Sequence, residues 1–281
     1  MASRLDHLRY VMVSNPVTFL AFSLFGLMVF VAIFGPWIVP YDPLASTPTG
    51  ALKPPSWQHW FGTDQVGRDV FSRVIAATRL DLLISVSAVG ISFVVGSILG
   101  AVSGFWGGWT DRILGRALDT IMAFPLFVLA MGIVAASGNT VENVVLATAI
   151  INLPFYARVA RAEVAIRRNA GWVLAAKLAG NNDVSILFGR VVPNILPPMM
   201  VQISLNMGWA ILNAAGLSFI GLGVRPPTPE WGIMVAEGAS FIVSGEWWLA
   251  LFPGLALMTA VFTFNLMGDG MRDLVDPARR T

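Results

Sequence analysis

Six blocks of mainly apolar residues, separated by shorter polar segments, run along the chain at 16–39, 80–104, 119–136, 144–160, 195–223 and 248–268. A helix needs about 20 apolar residues to cross a hydrocarbon core of about 30 Å. We therefore predict an all-α membrane protein with six transmembrane helices. Pro125 and Pro154 interrupt the third and fourth blocks. Proline is tolerated in a membrane helix where neighbouring helices satisfy the freed carbonyl group, so we expect the helices to pack as a bundle.

The composition supports this fold class. Of the 281 residues, 56% are hydrophobic and only 12% are charged, whereas a soluble domain has about 25% charged residues. The first apolar block is longer than the core of a signal peptide and no cleavage site of small residues follows it, so we expect it to be retained. The chain has no cysteine, and His7 and His59 lie far apart. We therefore expect no disulfide and no metal site.

The distribution of positive charge predicts the orientation. Six spans place both termini on one side of the membrane, and of the 18 Lys and Arg residues only Lys53, Arg68, Arg73, Arg79 and Arg225 fall on the other side. Because positive residues are retained in the cytoplasm, we expect both termini there. The predicted organisation is a cytoplasmic segment at 1–15, the first transmembrane helix with an external loop at 16–79, a membrane core at 80–270 with a cytoplasmic loop at 161–193, and a cytoplasmic tail at 271–281.

The stretch 171–198, GWVLAAKLAGNNDVSILFGRVVPNILPP, is a mixed polar segment between two apolar blocks. Good helix formers at 172–178 precede Gly180 and two asparagines, which predicts a short helix that ends at Gly180. We predict a second helix at about 183–192, with Asp183 beside Asn182 as its N-terminal cap. Pro193 should mark the approach to the fifth span.

Ala175, Ala176 and Gly180 should form one face of small side chains, which would let another protein approach closely. With Pro193 thirteen residues beyond Gly180, this pattern resembles the EAA loop of permease subunits of ATP-binding cassette importers. The resemblance implies that these residues, with Asn182 and Asp183, form a coupling loop that fits a groove on an ATPase subunit. Where that loop has a glutamate before the alanine pair, this chain has Leu174.

Four further stretches resemble the second permease subunit of dipeptide, oligopeptide, nickel and opine importers: GTDQVGRDVFSRVI at 62–75, GFWGGWTDRILGRALDTIMAFP at 104–125, AGLSFIGLGVRPPTPEWGIMVAEG at 215–238 and WWLALFPGLALMTAVFTFNLMGDGMRDLVDP at 247–277. This resemblance implies a type I importer permease fold in the bacterial inner membrane. It implies as partners a homologous second permease, two ATPase subunits that bind ATP and Mg, and a periplasmic or extracellular solute-binding protein, with no nucleic acid. It leaves the cargo open among peptides, nickel, opines, glutathione and oligosaccharides.

The external loop carries a motif of Gly62, Asp64, Gly67, Arg68 and Asp69. One interpretation is structural: glycine allows the turns and a bidentate Asp–Arg hydrogen bond holds them. The other is functional, because an ordered external loop could receive a substrate-loaded binding protein. The two interpretations are compatible.

Polar residues in the fifth span are few, and Ser204, Asn206 and Asn213 are candidates for a translocation path. Asparagine donates and accepts hydrogen bonds to peptide-like groups, although hydrogen bonds between helices are an equally good interpretation. An ion-coupled secondary transporter is the alternative function, but the last four spans have no charged residue near their middle. Asp81 and Asp119 lie near span ends, where we expect both to reach water.

Gly96, Gly100 and Gly104 recur every four residues along the second span. This spacing of small residues allows close helix packing in lipid. The sequence leaves open whether the stripe contacts another helix of the same chain or a partner permease.

The chain lacks the motifs of a catalyst. A phosphate-binding loop requires Gly-Lys-Ser/Thr, but Lys53 precedes a proline and Lys177 precedes a leucine. Neither a Gly-x-Ser-x-Gly nor a His-Glu-x-x-His motif occurs. We therefore expect no catalytic residue, no bound cofactor and no enzymatic activity in this chain, with ATP hydrolysis left to partner subunits.

Overall fold

The computed structural model describes residues 15–275, and within this range the backbone forms ten α-helices. In chain order they are α1 Pro16–Ile38, α2 Val70–Trp106, α3 Gly108–Met122, α4 Leu126–Ser137, α5 Val141–Arg167, α6 Gly171–Leu178, α7 Asp183–Ile186, α8 Val192–Phe219, α9 Trp231–Ala239 and α10 Trp248–Val275. The predicted all-α class is confirmed. His7 and all but the last residue of the predicted segment 1–15 lie outside the described residues, as does the predicted tail beyond Val275.

Five helical runs are long and apolar enough to cross a membrane, namely α1, α2, α5, the run Asp183–Phe219 and α10. The pair α3 and α4 makes a sixth if it counts as one span, but the two helices are bent by 87°. The sequence predicted one span at 119–136 that Pro125 interrupts, and the structure has two separate helices there. Pro125 has no N–H to bond the Ile121 carbonyl, and it disfavours the helical conformation at Phe124, so the helix breaks there.

The glycine stripe of α2 packs against α5 of the same chain. A Cβ added at Gly96, Gly100 or Gly104 would lie 2.1–2.6 Å from a carbonyl oxygen of α5, and these oxygens belong to Leu153, Ala157 and Arg161. The partners on α5 also recur every four residues, so the two backbones touch along the whole stripe. Of the two alternatives that the sequence left open, packing within the subunit is the one observed.

The polypeptide passes from α7 to α8 without leaving the helical conformation. A π-helical turn at Leu187–Val191 joins the two helices, and the Val192 N–H donates to the Leu187 carbonyl five residues back. Pro193 follows as the second residue of α8, where its missing N–H interrupts the regular hydrogen-bond ladder. We predicted that Pro193 would precede a separate span, whereas it lies inside one helical run, Asp183–Phe219.

Helix α2 connects the two ends of the molecule. Its 37 residues make it about 55 Å long at 1.5 Å per residue. Near its start, the Trp231 Nε1 of α9 donates to the Val74 carbonyl at 3.0 Å. Near its end, the Lys177 Nζ of α6 lies 5.2 Å from the centre of the Phe105 ring. The loop predicted to be external and the loop predicted to couple to an ATPase therefore lie at opposite ends of the molecule.

Candidate functional site

The end of α6 is determined by Gly180. Its φ of +82° is a left-handed conformation that glycine adopts at little cost. The Gly180 N–H donates to the Lys177 carbonyl at 3.0 Å, and the Asn181 N–H donates to the Ala176 carbonyl at 3.2 Å. This Schellman pattern satisfies the last carbonyl groups of the helix. The predicted helix stop at Gly180 is confirmed.

Ala175 and Ala176 of α6 differ in their exposure to solvent. Ala175 is exposed, whereas Ala176 is 4% exposed and packs in the main apolar core with Val173 and Ile186. The predicted single face of Ala175, Ala176 and Gly180 is therefore wrong, because consecutive residues are about 100° apart around a helix of 3.6 residues per turn. Only Ala175 and Gly180 remain accessible to another protein.

The N-terminus of α7 is capped by Asn182 rather than by Asp183. The Asn182 Oδ1 accepts a hydrogen bond from the Ser185 N–H at 2.7 Å. Asp183 is instead the first residue of α7, where its charge suits the helix dipole, and its carboxylate lies 3.1 Å from the Lys177 ammonium. The predicted cap was therefore one residue too late. Asn182 caps α7, and Asp183 links α7 to Lys177 of α6.

Apolar side chains cover the outward surface of α6 and α7. Leu178 is 90% exposed, Val184 55% and Leu174 49%. Leu174 thus adds apolar area at the position where the resembled loop has a glutamate. A contiguous exposed apolar surface marks a site of interaction with another molecule. We call the surface formed by Leu174, Ala175, Leu178 and Val184 the docking surface.

The external loop is held by a buried ion pair. The Arg68 Nε donates to Asp64 Oδ2 at 2.6 Å, and the Arg68 N–H donates to Asp64 Oδ1 at 2.9 Å. Gly62 and Gly67 have φ of +75° and +81°, and a Cβ at Gly67 would lie 2.0 Å from the Thr47 carbonyl oxygen. The predicted Asp–Arg hydrogen bond and the glycine turns are therefore present, with Asp64 as the acid, but the second bond to the carboxylate comes from the Arg68 backbone N–H rather than from a bidentate guanidinium.

Asp69 joins this loop to α2, and a charged network extends from there to α9. Asp69 caps α2, since its Oδ2 accepts from the Ser72 N–H at 2.8 Å, and its Oδ1 lies 2.8 Å from His59 Nδ1. The Arg73 side chain is 1% exposed, and its Nη2 lies 3.6 Å from the Glu237 carboxylate of α9. The sequence analysis did not assign Arg73 or Glu237, because their proximity arises only when α9 folds back onto α2.

A cavity of about 410 Å³ lies between α4, α5, α8 and α10. Of the predicted path residues, Asn206 and Asn213 line this cavity, and so do three amides that we had not assigned, Asn152, Gln202 and Asn265. Ser204 is not among the lining residues: it is 3% exposed and lies beside Gly268 of α10. One indication of these three amides was present in the sequence, since each is a polar residue within a predicted span.

The cavity presents uncharged hydrogen-bonding groups. Asn152 Nδ2 donates to the Thr148 carbonyl at 2.8 Å and Asn213 Nδ2 donates to the Trp209 carbonyl at 2.9 Å, which leaves the side-chain oxygens as acceptors. The buried Asn206 Nδ2 has no hydrogen-bond partner in the structure. The cavity thus offers carboxamide acceptors, surrounded by apolar and aromatic side chains. Such a lining can bind the amide groups of a ligand.

Asp81 does not reach water, contrary to the sequence-based expectation. It is 2% exposed, because the start of α9 covers it, and its Oδ2 accepts from the Trp231 N–H at 3.2 Å. Asp119 is exposed as expected and lies 2.8 Å from Arg158. Nothing local in the sequence marks the burial of Asp81, since its partner is 150 residues away.

Comparisons with known proteins extend over most of the chain. Residues 96–281 match the family described as binding-protein-dependent transport system inner membrane component, and residues 8–55 match the N-terminal TM domain of oligopeptide transport permease C. The chain is 43% identical over 263 residues to a probable D,D-dipeptide transport system permease protein of Escherichia coli K12, covering 94% of this chain and 88% of the relative.

Two further relatives have a similar extent of likeness. A di/tripeptide transport system permease protein of Pseudomonas aeruginosa is 44% identical over 257 residues, covering 89% of this chain and 84% of the relative. A glutathione transport system permease protein of Pectobacterium atrosepticum is 38% identical over 252 residues, covering 89% and 83%. These relatives give no support to the ion-coupled alternative. The chain belongs to the family of inner-membrane permease components of binding-protein-dependent transport systems.

Proposed function

We propose that this chain forms half of the path by which a bacterial ATP-driven importer carries small peptides across the cytoplasmic membrane. The relatives are named for dipeptides, tripeptides and glutathione, and the cavity carries carboxamides that complement a peptide group. Trp209 of the cavity lining is 64% exposed, so the cavity is open to the side. A homologous second permease closes it there and supplies the other half of the path.

The docking surface is the observation that carries the coupling role. Its residue Val184 lies at the start of the helical run Asp183–Phe219, and α6, which carries the other three residues, shares a buried core with that start through Ala176 and Ile186. The same run contributes Asn206 and Asn213 to the cavity. One of the two ATPase subunits, which bind and hydrolyse ATP with Mg, docks on this surface in the cytoplasm, and the other docks on the second permease. A helix transmits an axial or rotational shift along its length. Closure of the ATPase subunits on each other therefore reaches the cavity as a rigid-body movement. Both termini are cytoplasmic, and a solute-binding protein delivers cargo at the external loop held by Asp64 and Arg68.

Substitution of Ala175 by Trp tests the coupling role. Ala175 is exposed, so the larger side chain fits the chain itself but obstructs the docking surface. Gly180 is a poorer choice, because its φ of +82° would strain any other residue whether or not a partner docks. Ala45→Trp, at an exposed alanine of the external loop, is the matched control.

The measurements are co-purification of the ATPase subunits from native membranes in mild detergent and peptide uptake by cells. With Ala175→Trp, co-purification of the ATPase subunits should fall and peptide uptake should be lost, while the second permease still co-purifies. Ala45→Trp should retain the ATPase subunits. Normal uptake and a full complement of ATPase subunits with Ala175→Trp would show that the docking surface does not couple ATP hydrolysis to transport.

A further inference from the structure

A pair of buried carboxyl groups joins α2 to α9 at the external end of the molecule. Asp81 on α2 is 2% exposed and Glu230, which precedes the first residue of α9, is 0% exposed. Trp231, the residue after Glu230, donates its N–H to Asp81 Oδ2 at 3.2 Å, which brings the two carboxyl groups side by side. Two carboxylates in contact inside a protein cannot both be ionised, because each raises the cost of charging the other. One proton must therefore remain at the pair while the contact is intact.

The backbone hydrogen bonds decide which group carries this proton. Glu230 caps α9 with both oxygens, since Oε1 accepts from the Gly232 N–H at 2.9 Å and Oε2 accepts from the Ile233 N–H at 2.8 Å. Backbone N–H donors stabilise the charged form of a carboxylate. On Asp81 only Oδ2 accepts a backbone hydrogen bond, from the Trp231 N–H at 3.2 Å. The other oxygen, Oδ1, is free to carry a proton.

We propose that Asp81 and Glu230 hold one proton between them, carried on Asp81 Oδ1 and donated to the Glu230 carboxylate, and that loss of this proton separates α9 from α2. The pair then acts as a proton-dependent contact that keeps α9 in place until the proton is lost. Gly232 of α9 packs against α8, since a Cβ there would lie 2.2 Å from the Ala215 carbonyl oxygen. Displacement of α9 thus exposes part of α8 as well. The proposal depends neither on the cargo nor on the coupling to ATPases.

The charged groups around the pair do not neutralise it. On α2, Arg73 is paired with Glu237 of α9 at 3.6 Å, and Arg79 is exposed. Arg225, in the segment before α9, is also exposed. Among the described residues no ion pair includes either member of the carboxyl pair.

The remaining helices near the pair add only a hydroxyl group. Helix α8 has no charged residue and contributes Ser218, which interacts with the Glu230 side chain. Helix α10 has no charged residue before Asp269, close to its far end. Glu142, at the start of α5, is exposed. The described residues around the pair therefore supply no positive charge to it, and a bound proton takes that place.

The sign of the pH dependence follows from the folded-state protonation. Burial raises the pKa of Glu230 above its ordinary value of 4.5, and because the two carboxyl groups share one proton, this shift belongs to the pair. A carboxyl group whose pKa is raised on folding contributes stability that is complete below the unfolded-state pKa and is lost as the pH rises through the folded-state pKa. Asn at position 81 accepts from Trp231 and donates to Glu230 without any proton to lose. Asp81→Asn should therefore remove this part of the pH dependence.

The first test compares the thermal unfolding midpoints of the purified full chain in detergent between about pH 5 and about pH 9. Asp81→Asn should match the wild type at acidic pH and become progressively more stable than the wild type as the pH rises. Asp119→Asn, which removes an exposed carboxylate of the same charge, is the control and should show no such trend. A difference between Asp81→Asn and wild type that is the same at every pH would overturn the shared proton.

The second test measures the movement of α9 directly. The chain has no cysteine, so spin labels on Arg79→Cys and Ser240→Cys, both exposed positions, report the separation of α2 and α9 without background. The separation should increase at alkaline pH in the wild-type background and stay constant when Asp81→Asn is added. A separation that is constant across the pH range in both backgrounds would overturn the proposed release of α9, even if the stability test succeeds.

Discussion

The contact between α2 and α5 predicts opposite effects of the same substitution at two glycines of one helix. A Cβ at Gly100 would lie 2.1 Å from the Ala157 carbonyl oxygen and 2.8 Å from the Ala157 Cα. A Cβ does not approach a non-bonded heavy atom more closely than about 3.0 Å, so the helices must separate by roughly 1 Å to admit the methyl group. At Gly90, also in α2, an added Cβ has no neighbour within 4 Å. Alanine therefore enters a closed contact at one position and open space at the other.

The size of the change in the free energy of unfolding follows from two effects. Overpacking a closed contact costs about 1–3 kcal/mol, and a gap of about 1 Å forfeits up to half of the dispersion energy of the neighbouring atoms. Gly96 and Gly104 touch the same partner helix and would lose part of their contacts too, so Gly100→Ala should lie near the upper end, at about 3 kcal/mol. Gly90→Ala should be neutral or stabilising by up to about 1 kcal/mol, because alanine favours the helix more than glycine does.

The assay is the free energy of unfolding of each purified variant, obtained by graded denaturation in mixed detergent micelles and followed by helical circular dichroism. Gly100→Ala should be less stable than Gly90→Ala by about 3 kcal/mol or more. If the two variants had equal free energies of unfolding, α2 and α5 would not be in backbone contact at Gly100, and the assignment of the glycine stripe to packing within the subunit would be refuted.

Two further predictions concern the predicted site residues. Arg68→Met leaves the buried Asp64 carboxylate without its closest partner, so the chain should lose about 3 kcal/mol of stability; an unfolding midpoint within 1 °C of the wild type would contradict the buried pair. Asn182→Ala should destabilise α7 by about 1 kcal/mol through loss of the cap, measured as faster amide exchange at Ser185. Asp183→Ala removes an exposed ion pair and a charge that suits the helix dipole, so it should cost only about 0.5 kcal/mol. Equal effects of the two substitutions would contradict the assignment of the cap.

The features that the sequence predicted well are those determined over a few neighbouring residues. Apolar length located the spans, since a membrane requires it of each helix separately. Gly180 marked the end of α6, because its φ of +82° is a local requirement for glycine. The predicted face of Ala175 and Ala176 failed because a small side chain does not reveal which way it points. Ala176 is turned inward by packing against Ile186, ten residues further along the chain.

The features that the sequence did not predict arise from contacts between distant segments. Arg73 and Glu237 have no local pattern that pairs them, and their contact depends on α9 folding back onto α2. The burial of Asp81 has the same origin, because Glu230 and Trp231 approach it from 150 residues away. Periodicity and composition describe one segment at a time, so they identify such residues as polar positions and leave their partners undetermined.

The packing around the cavity indicates which of its walls can shift. Asn152 lies on α5, which the glycine stripe holds against α2 by direct backbone contact. Asn206 lies on α8. At the start of α8, a π-helical turn and Pro193 interrupt the regular hydrogen-bond ladder. On the proposed function, a push on the docking surface therefore displaces α8 relative to a fixed α5, and the spacing between Asn152 and Asn206 changes while both helices stay intact.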